Sequence, residues 1–314
     1  MKTAFVFPGQ GSQQVGMMQD LYAAHASVRE RFAAADDALG FSLSTLIFEG
    51  PAEELVKTEF TQPAILTASV AAYDLVAAAG ERADFMAGHS LGEYSALVAA
   101  GAMDFADAVR AVHWRGRFMQ EAVPLGEGAM AAVIRLDRDT IVKICAEVSA
   151  EVGAVQAVNF NCPGQVVIAG VAAAVDTAGQ RMKEAGAGRV VPLAVSAPFH
   201  STLMQPAAER LAKVLDDIDI RPPQTTVIAN VHARPVTTAQ DVREALVEQA
   251  AHPVLWEDSV RYMLDAGVTR QVEIGPGNVL TGFMRKIDRH IDMLHVEDAA
   301  SLADTLAKMK GATR

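Results

Sequence analysis

The chain has 314 residues, of which 51% are hydrophobic, and a formal net charge of −11 at pH 7. This length is enough to bury one large core or two smaller ones. The acidic balance argues against nucleic acid as the main partner, because phosphate binding needs a basic surface. An acidic protein partner would need a local basic patch. Three clusters could supply one, although each could equally be a solvated helix face: Arg110/Arg115/Arg117, Lys183/Arg189 and Arg285/Lys286/Arg289.

No segment predicts a membrane span, since the most apolar candidate, 64–80, carries Tyr73 and Asp74. The apolar run before Pro8 is too short for a signal peptide. The two cysteines, Cys145 and Cys162, lack metal-ligand spacing, so we expect no metal site and a reduced, cytoplasmic setting.

Along the chain, short apolar runs alternate with longer helical segments, which predicts a parallel α/β fold. The predicted strands of this part are 3–7, 84–88, 225–230 and 270–274. The predicted helices are 20–38, 63–79, 91–100, 104–121, 201–216, 239–250 and 256–266, with a further helix after the "GPGN" turn.

The pattern changes near Gly126. From there the predicted elements are a strand at 129–136, a helix at 138–150, a hairpin of 154–160 and 165–170, a helix at 172–186 and a strand at 189–195. This β-α-β-β-α-β order is the ferredoxin-like arrangement. We therefore predict an inserted small domain, 126–196, within a larger α/β body made of 1–125 and 197–314.

The segment "AGHSLGEYSALVAAG" (87–101) contains G-x-S-x-G between a predicted strand and a predicted helix. One interpretation is a plain turn capped by Ser90. In a strand-turn-helix context, however, the pattern is typical of a nucleophile elbow, which exposes the serine Oγ at the carboxyl edge of the sheet. The helix N-terminus would then place the N–H of Leu91 where it can stabilise an oxyanion.

A serine nucleophile needs a base, and the sequence offers eight histidines. His200 is a candidate because "PLAVSAPFHSTLM" predicts a strand, a proline-broken loop and a helix start where the insert rejoins the body. Position alone does not exclude the other histidines as the base. The elbow alone fits an ester or thioester hydrolase equally well.

Nine segments occur in a recognisable order: "FVFPGQGSQ", "TQPAIL", "AGHSLGEYSALVAAG", "RGRFMQEAVP", "GAMAAVI", "NFNCPGQVVIAG", "VSAPFHSTLM", "NVHARPV" and "EIGPGNVLTG". Together the segments, which span nearly the whole chain, resemble the malonyl-CoA:acyl carrier protein transacylases of bacterial fatty acid synthesis. The resemblance implies an α/β-hydrolase-like parallel-sheet body with an inserted ferredoxin-like small domain, in agreement with the predicted segments.

The resemblance also implies an activity: transfer of a malonyl group from malonyl-CoA to the phosphopantetheine thiol of acyl carrier protein. Ser90 would be the nucleophile and His200 its base, and the backbone N–H groups of Gln10 and Leu91 would form the oxyanion hole. The family implies a monomer. Coenzyme A enters as a thioester substrate, no bound cofactor is expected, and the carrier protein would dock transiently on a basic patch.

Further residues match family positions. Arg115, in "VHWRGRFMQ", corresponds to the arginine that holds the malonyl carboxylate, whereas Arg117 is expected at the surface. Gln249, in "LVEQAAHPVLW", corresponds to the residue whose backbone carbonyl orients the catalytic histidine.

Three other residues are expected at the site. Phe199 beside His200, with Leu91 after the serine, resembles the malonyl-selective rather than the methylmalonyl-selective pattern. His89 is expected to support the nucleophile, and Asn161 to line the cleft.

Three classes of alternative remain. The main one is a serine hydrolase, against which Arg115 and the missing acidic triad partner argue. A discrete acyltransferase of a polyketide or malonate decarboxylase system would share the same residues. A non-catalytic carrier-binding module would have no need of the intact set of Ser90, His200 and Arg115.

Overall fold

The computed structural model describes residues 1–195 and 197–311. Two parts of the predicted domains lie outside the described residues. They are Ser196, the last residue of the predicted small domain, and residues 312–314, the end of the predicted body. Two separate β-sheets, of six and four strands, are surrounded by helices. This arrangement confirms the predicted α/β class.

The strands in the described part of the chain are β1 (Lys2–Phe7), β2 (Phe85–Gly88), β3 (Gly128–Ile134), β4 (Val155–Cys162), β5 (Gln165–Val171), β6 (Arg189–Pro192), β7 (Thr226–Ala229), β8 (Arg234–Val236), β9 (Val268–Ile274) and β10 (Asp292–Val296).

The helices in the same ranges, apart from a 3₁₀ turn at Thr202–Met204, are α1 (Gln19–Ala24), α2 (Ala26–Leu39), α3 (Leu43–Glu49), α4 (Ala52–Leu55), α5 (Thr58–Ala78), α6 (Gly92–Ala99), α7 (Phe105–Glu121), α8 (Arg138–Glu151), α9 (Ala172–Glu184), α10 (Gln205–Asp216), α11 (Ala239–Ala251), α12 (Trp256–Asp265), α13 (Val279–Ile287) and α14 (Ala299–Gly311). None of these described helices is both long and apolar enough to cross a membrane.

The body is built on the six-stranded sheet, whose order is β10-β9-β1-β2-β7-β8. All its neighbours are parallel except β8, which pairs antiparallel with β7. Phe5 and Phe7 of β1 enter the main core, whereas Ala4 and Val6 face a second apolar cluster on the other side. A strand that is covered on both faces has apolar residues at successive positions, which explains the continuous apolar sequence "TAFVF".

The small domain is built on the four-stranded antiparallel sheet, with order β4-β5-β3-β6. Its elements follow the predicted β-α-β-β-α-β order. Ala131 and Val133 of β3 pack in one cluster with α8 and α9, while Met130 and Ala132 join the main core of the body. The small sheet is therefore buried on both faces, and one face closes over the body. The boundaries at 126 and 196 stay predictions.

Helix α5 begins five residues before the predicted start at Pro63, which lies inside it. Proline cannot donate to the carbonyl four residues earlier, which belongs to Glu59. His113 Nδ1 lies 2.9 Å from that carbonyl oxygen and takes the place of the missing donor. A side chain from α7 thus allows the proline inside the helix, and no local sequence pattern shows this.

Other elements also differ from the prediction, and helices α3, α4 and α14 were not predicted. The helix predicted at 20–38 is two helices, because His25 between them is extended. The strand predicted at 189–195 ends at Pro192. Strands β8 and β10 were not predicted, since both are edge strands whose short or partly exposed sequences give weak alternation.

Candidate active site

The turn between β2 and α6 has the geometry of a nucleophile elbow. Ser90 has a φ of 52°, in the left-handed region that a serine rarely occupies. A Cβ at Gly88 would lie 1.9 Å from the Gly92 carbonyl oxygen, and a Cβ at Gly92 would lie 2.1 Å from the Phe7 carbonyl oxygen. Only glycine lets the strand, the helix and β1 approach this closely, which accounts for both glycines of the motif.

Asn230, just after β7, holds the elbow from behind. Its Oδ1 accepts a hydrogen bond from the Ser90 N–H at 2.7 Å, and its Nδ2 donates to the Gly88 carbonyl at 2.7 Å. Two hydrogen bonds from one buried side chain therefore support the strained turn. The sequence analysis missed this residue, although its place at the end of a strand beside β2 is a usable signal.

Ser90 and His200 meet as predicted: Ser90 Oγ lies 2.7 Å from His200 Nε2. On the other side of the ring, Nδ1 lies 2.8 Å from the backbone carbonyl oxygen of Gln249, which can only accept. The proton therefore belongs on Nδ1, and Nε2 is free to accept the serine proton. His200 is 4% exposed. Burial and the charge of Arg115 lower the pKa of His200 to about 3, so the ring is a neutral base.

Arg115 reaches the same place from α7 and is 1% exposed. Its guanidinium donates to Gln62 Oε1 at 2.7 Å, to Gln249 Oε1 at 2.8 Å and to Ser90 Oγ at 3.1 Å. Burial lowers the pKa of Arg115, which remains a cation. Arg117 instead pairs with Glu121 on the exposed side of the helix. Gln62, which supports the guanidinium, was not singled out from the sequence.

The loop after β1 lies directly on the elbow, since a Cβ at Gly9 would lie 2.4 Å from the His89 carbonyl oxygen. Gln10 follows in that loop and lines the same cavity as Ser90. Its side chain reaches Thr58 Oγ1 at 3.3 Å. Over residues 1–195 and 197–311, neither the Gln10 N–H nor the Leu91 N–H has a hydrogen-bond acceptor. Both donors are therefore available to a bound oxygen.

His89 and Asn161 connect the two sheets, because His89 Nε2 lies 2.8 Å from Asn161 Oδ1 on β4. The His89 ring contacts Trp256 and Phe283, and burial lowers the pKa of His89. Phe199, which precedes His200, lies on the cavity wall and is 8% exposed.

The predicted site residues that line one cavity, of about 270 Å³, are Gln10, His89, Ser90, Arg115, Asn161, Phe199 and His200. The body supplies Gln10, Ser90 and Arg115, and the small sheet supplies Met130 and Val167 on the facing wall. The described residues include no group of three histidine, cysteine or acidic side chains that could hold a metal ion.

A serine nucleophile, a buried base and a buried guanidinium around one cavity fit acyl transfer. Comparison with known proteins supports this class, since the acyl transferase domain model matches residues 4–310. The malonyl CoA-acyl carrier protein transacylase of Escherichia coli (strain K12) is 53% identical over 304 residues, which cover 96% of this chain and 98% of that protein. This chain belongs to the malonyl CoA-acyl carrier protein transacylase family.

Solved structures agree with this assignment. An acyl carrier protein S-malonyltransferase from Vibrio cholerae has a TM-score of 0.95 and 48% identity, with coverage of 97% of this chain and 100% of that one. A malonyl-transacylase in complex with a type II polyketide synthase acyl-carrier protein has a TM-score of 0.96 and 49% identity, with coverage of 98% and 100%.

The elbow geometry predicts that Gly88→Ala is strongly destabilising. The new Cβ would meet backbone atoms of Gly92 and Glu93, which cannot move aside as a flexible side chain can. We expect a loss of about 3 kcal/mol in the free energy of unfolding, at the upper end of overpacking effects, measured by urea denaturation. Gly282→Ala in α13 is the matched control, since a Cβ there would meet no group within 4 Å outside the adjoining backbone of its own helix. Equal stability of the two variants would contradict the close approach.

Proposed function

We propose that this protein transfers the malonyl group of malonyl-CoA to the phosphopantetheine thiol of acyl carrier protein, through a malonyl-Ser90 intermediate in a ping-pong reaction. The names of the relatives supply the substrate and the carrier. The single observation that carries the proposal is the buried Arg115 guanidinium 3.1 Å from the Oγ that His200 also contacts. A hydrolase of neutral esters has no use for a cation in that position.

In the first half-reaction, Ser90 Oγ attacks the thioester carbonyl while its proton passes to His200 Nε2. The oxyanion that forms accepts hydrogen bonds from the Gln10 and Leu91 N–H groups. When the tetrahedral intermediate collapses, the carbon–sulfur bond breaks, and the imidazolium returns its proton to the departing thiolate of coenzyme A.

In the second half-reaction, His200 accepts the proton of the carrier's thiol as its sulfur attacks the malonyl-serine carbonyl. Collapse of this intermediate breaks the bond to Ser90 Oγ, which regains the proton from His200. The products are malonyl-acyl carrier protein and the free enzyme, and no water is consumed.

Arg115 binds the free carboxylate that distinguishes malonyl from acetyl. A planar guanidinium can donate two parallel hydrogen bonds to a carboxylate. In the free protein its donors face neutral amide oxygens of Gln62 and Gln249, so its charge is not neutralised by a direct carboxylate contact. Because a carbonyl rather than a carboxylate orients His200, no negative side chain there repels the malonyl group.

The remaining wall residues set the shape of the site. Phe199 limits the space beside His200 and disfavours a methyl group at C2 of the acyl chain. His89 and Asn161 fix the elbow against the small domain. We further propose that the protein supplies malonyl-acyl carrier protein for fatty acid synthesis, as a cytoplasmic monomer that needs no bound cofactor.

The function is tested by incubation with malonyl-CoA, with and without acyl carrier protein, followed by intact-mass measurement of both proteins. We expect a malonyl adduct on the enzyme that moves to the carrier, and no adduct on Ser90→Ala. Release of free malonate without transfer would identify a hydrolase and refute the proposal.

Substitution of Arg115 tests the carboxylate contact. Arg115→Ala should lower malonyl transfer roughly 10- to 100-fold more than acetyl transfer, since a charged hydrogen-bonded contact is worth about 1.5–3 kcal/mol. Arg117→Ala, on the exposed side of the same helix, is the control and should leave both transfers near the wild-type rate. Equal losses on the two substrates would exclude the role of Arg115.

We place carrier docking at the basic end of α13. Leu280 and Phe283 of this helix line the cavity, and Arg285 and Lys286 follow at its exposed last turn, with Arg289 just beyond. Lys286 Nζ also donates to Gln165 Oε1 of the small domain at 3.0 Å. The end of α13 therefore lies beside the opening between body and insert, where an acidic carrier would present its thiol.

Lys286→Ala should raise the KM for acyl carrier protein roughly two- to fivefold, the range expected for an exposed charge pair, and leave the KM for malonyl-CoA unchanged. Lys308→Ala is the control, because that lysine pairs with Asp304 on helix α14, which does not line the cavity. A KM for the carrier that does not change in steady-state kinetics would remove this patch from the docking surface.

A further inference from the structure

One residue contacts all three groups of the site, through its backbone and its side chain. Gln249, on α11, is fully buried. Its backbone carbonyl accepts from His200 Nδ1 at 2.8 Å, its Oε1 accepts from the Arg115 guanidinium at 2.8 Å, and its Nε2 donates to the Ser90 carbonyl at 3.0 Å. The direction in which its amide points therefore decides whether the Arg115 guanidinium meets an acceptor or a donor at Gln249.

An amide can turn over and exchange its oxygen and nitrogen, so something must fix its direction. Glu93 Oε2 lies 2.7 Å from Gln249 Nε2. A carboxylate can only accept hydrogen bonds, so it requires the nitrogen on its own side and leaves the oxygen toward Arg115. The reversed amide would set an N–H group against the donors of the guanidinium.

The same carboxylate oxygen supports the elbow. Glu93 Oε2 accepts the Asn230 N–H at 3.0 Å, and the Asn230 side chain in turn accepts the Ser90 N–H. Glu93 is 1% exposed and does not line the cavity. It therefore acts on the reaction only through its neighbours, as a positioning residue rather than a catalytic one.

We propose that the Glu93 carboxylate is a specificity-positioning residue: it fixes the Gln249 amide so that the Arg115 guanidinium is held toward the acyl carboxylate in the cavity. The inference rests on the proposed malonyl transfer. Its consequence is that loss of Glu93, or of its charge, lowers the preference for malonyl over acetyl groups by raising the KM for malonyl-CoA.

The surroundings of Glu93 make this charge sensitive to pH. Burial raises the pKa of Glu93 to about 7, opposed by its hydrogen bonds to Asn230 and Gln249 and by the charge of Arg115. The titratable groups that interact with Glu93 are Arg115 of α7 and Tyr94 beside it on α6. From the end of β7 and from α11, the groups that face it are neutral amides.

The pH dependence follows from the sign of this shift. Above pH 7 the carboxylate is charged, and its bond to the amide is charge-assisted and stronger. As the pH falls through about 7, Glu93 takes up a proton and the preference for malonyl falls with it. His200 is not the source of such a change, since its pKa is lowered to about 3.

The test measures kcat and KM for malonyl-CoA and acetyl-CoA from pH 5.5 to 8.5, in the wild type, Glu93→Gln and Glu93→Ala. The ratio of the two kcat/KM values cancels the titration of coenzyme A itself. We expect the wild-type ratio to fall toward acid pH and approach that of Glu93→Gln. Glu93→Gln should be independent of pH, because its amide oxygen still accepts but carries no charge. Glu93→Ala should lower the ratio roughly 3- to 10-fold.

Glu273→Gln is the matched control. Glu273 is equally buried, its pKa is also raised to about 7, and it accepts from the Leu280 and Thr281 N–H groups at the start of α13, with no contact to Gln249. This variant can lose stability but should keep the wild-type malonyl preference and its pH dependence.

Two results would overturn the inference: a wild-type ratio that does not change between pH 5.5 and 8.5, or a Glu93→Ala variant with the wild-type ratio. The wild-type profile needs no variant, so poor folding of Glu93→Ala does not prevent the test. Absence of malonyl transfer by the wild type would instead refute the proposed function, which separates the two failures.

Discussion

The burial of one positive charge is the constraint on which this site depends. Moving a guanidinium out of water is costly unless its donors are satisfied. Here the described partners of Arg115 are the amide oxygens of Gln62 and Gln249 and the hydroxyl of Ser90, all neutral. They accept from the two terminal nitrogens of the guanidinium without cancelling its charge, while its Nε is buried without a partner among the described residues. The cavity thus keeps a cation that an incoming carboxylate can neutralise, which a direct Asp or Glu partner would prevent.

The same charge controls the base. Arg115 and burial together keep the His200 ring neutral, so the free protein holds its base ready to accept a proton. During the reaction an imidazolium must form beside the guanidinium, which two like charges disfavour. In the proposed reaction, a malonyl carboxylate bound to Arg115 would offset this repulsion at the moment when His200 becomes charged. An acetyl group has no such charge. In the proposed reaction, selectivity for malonyl would therefore enter the chemical step as well as binding.

Much of this arrangement could be predicted from local patterns. The elbow glycines and the β-α-β-β-α-β insert follow from short motifs and from the order of the predicted elements, whereas the distinction between Arg115 and Arg117 comes from the resemblance to the family. Gln62 and Glu93 could not be found in this way, and Asn230 could be found only by its place at the end of a strand. Their hydrogen bonds to the site join positions 53 residues apart for Gln62 and Arg115, and 140 apart for Asn230 and Ser90. A polar residue in an apolar helix carries no local sign of such a partner. Helix α5 shows the same limit, because its early start depends on a contact from α7.

The hydrogen bonds of Gln249 link Arg115, the group proposed to determine specificity, to Ser90 and His200. Gln249 serves the base through its backbone and Arg115 through its side chain, so its position matters to both. Substitution of the side chain leaves the carbonyl in place but removes one acceptor of the guanidinium and the donor to the Ser90 carbonyl. Glu93 stands one step further from the substrate and contacts none of the reacting atoms. Only one direction of the Gln249 amide gives hydrogen bonds to Glu93, Arg115 and the Ser90 carbonyl at the same time. This outer carboxylate, which can only accept, therefore determines the direction of the amide.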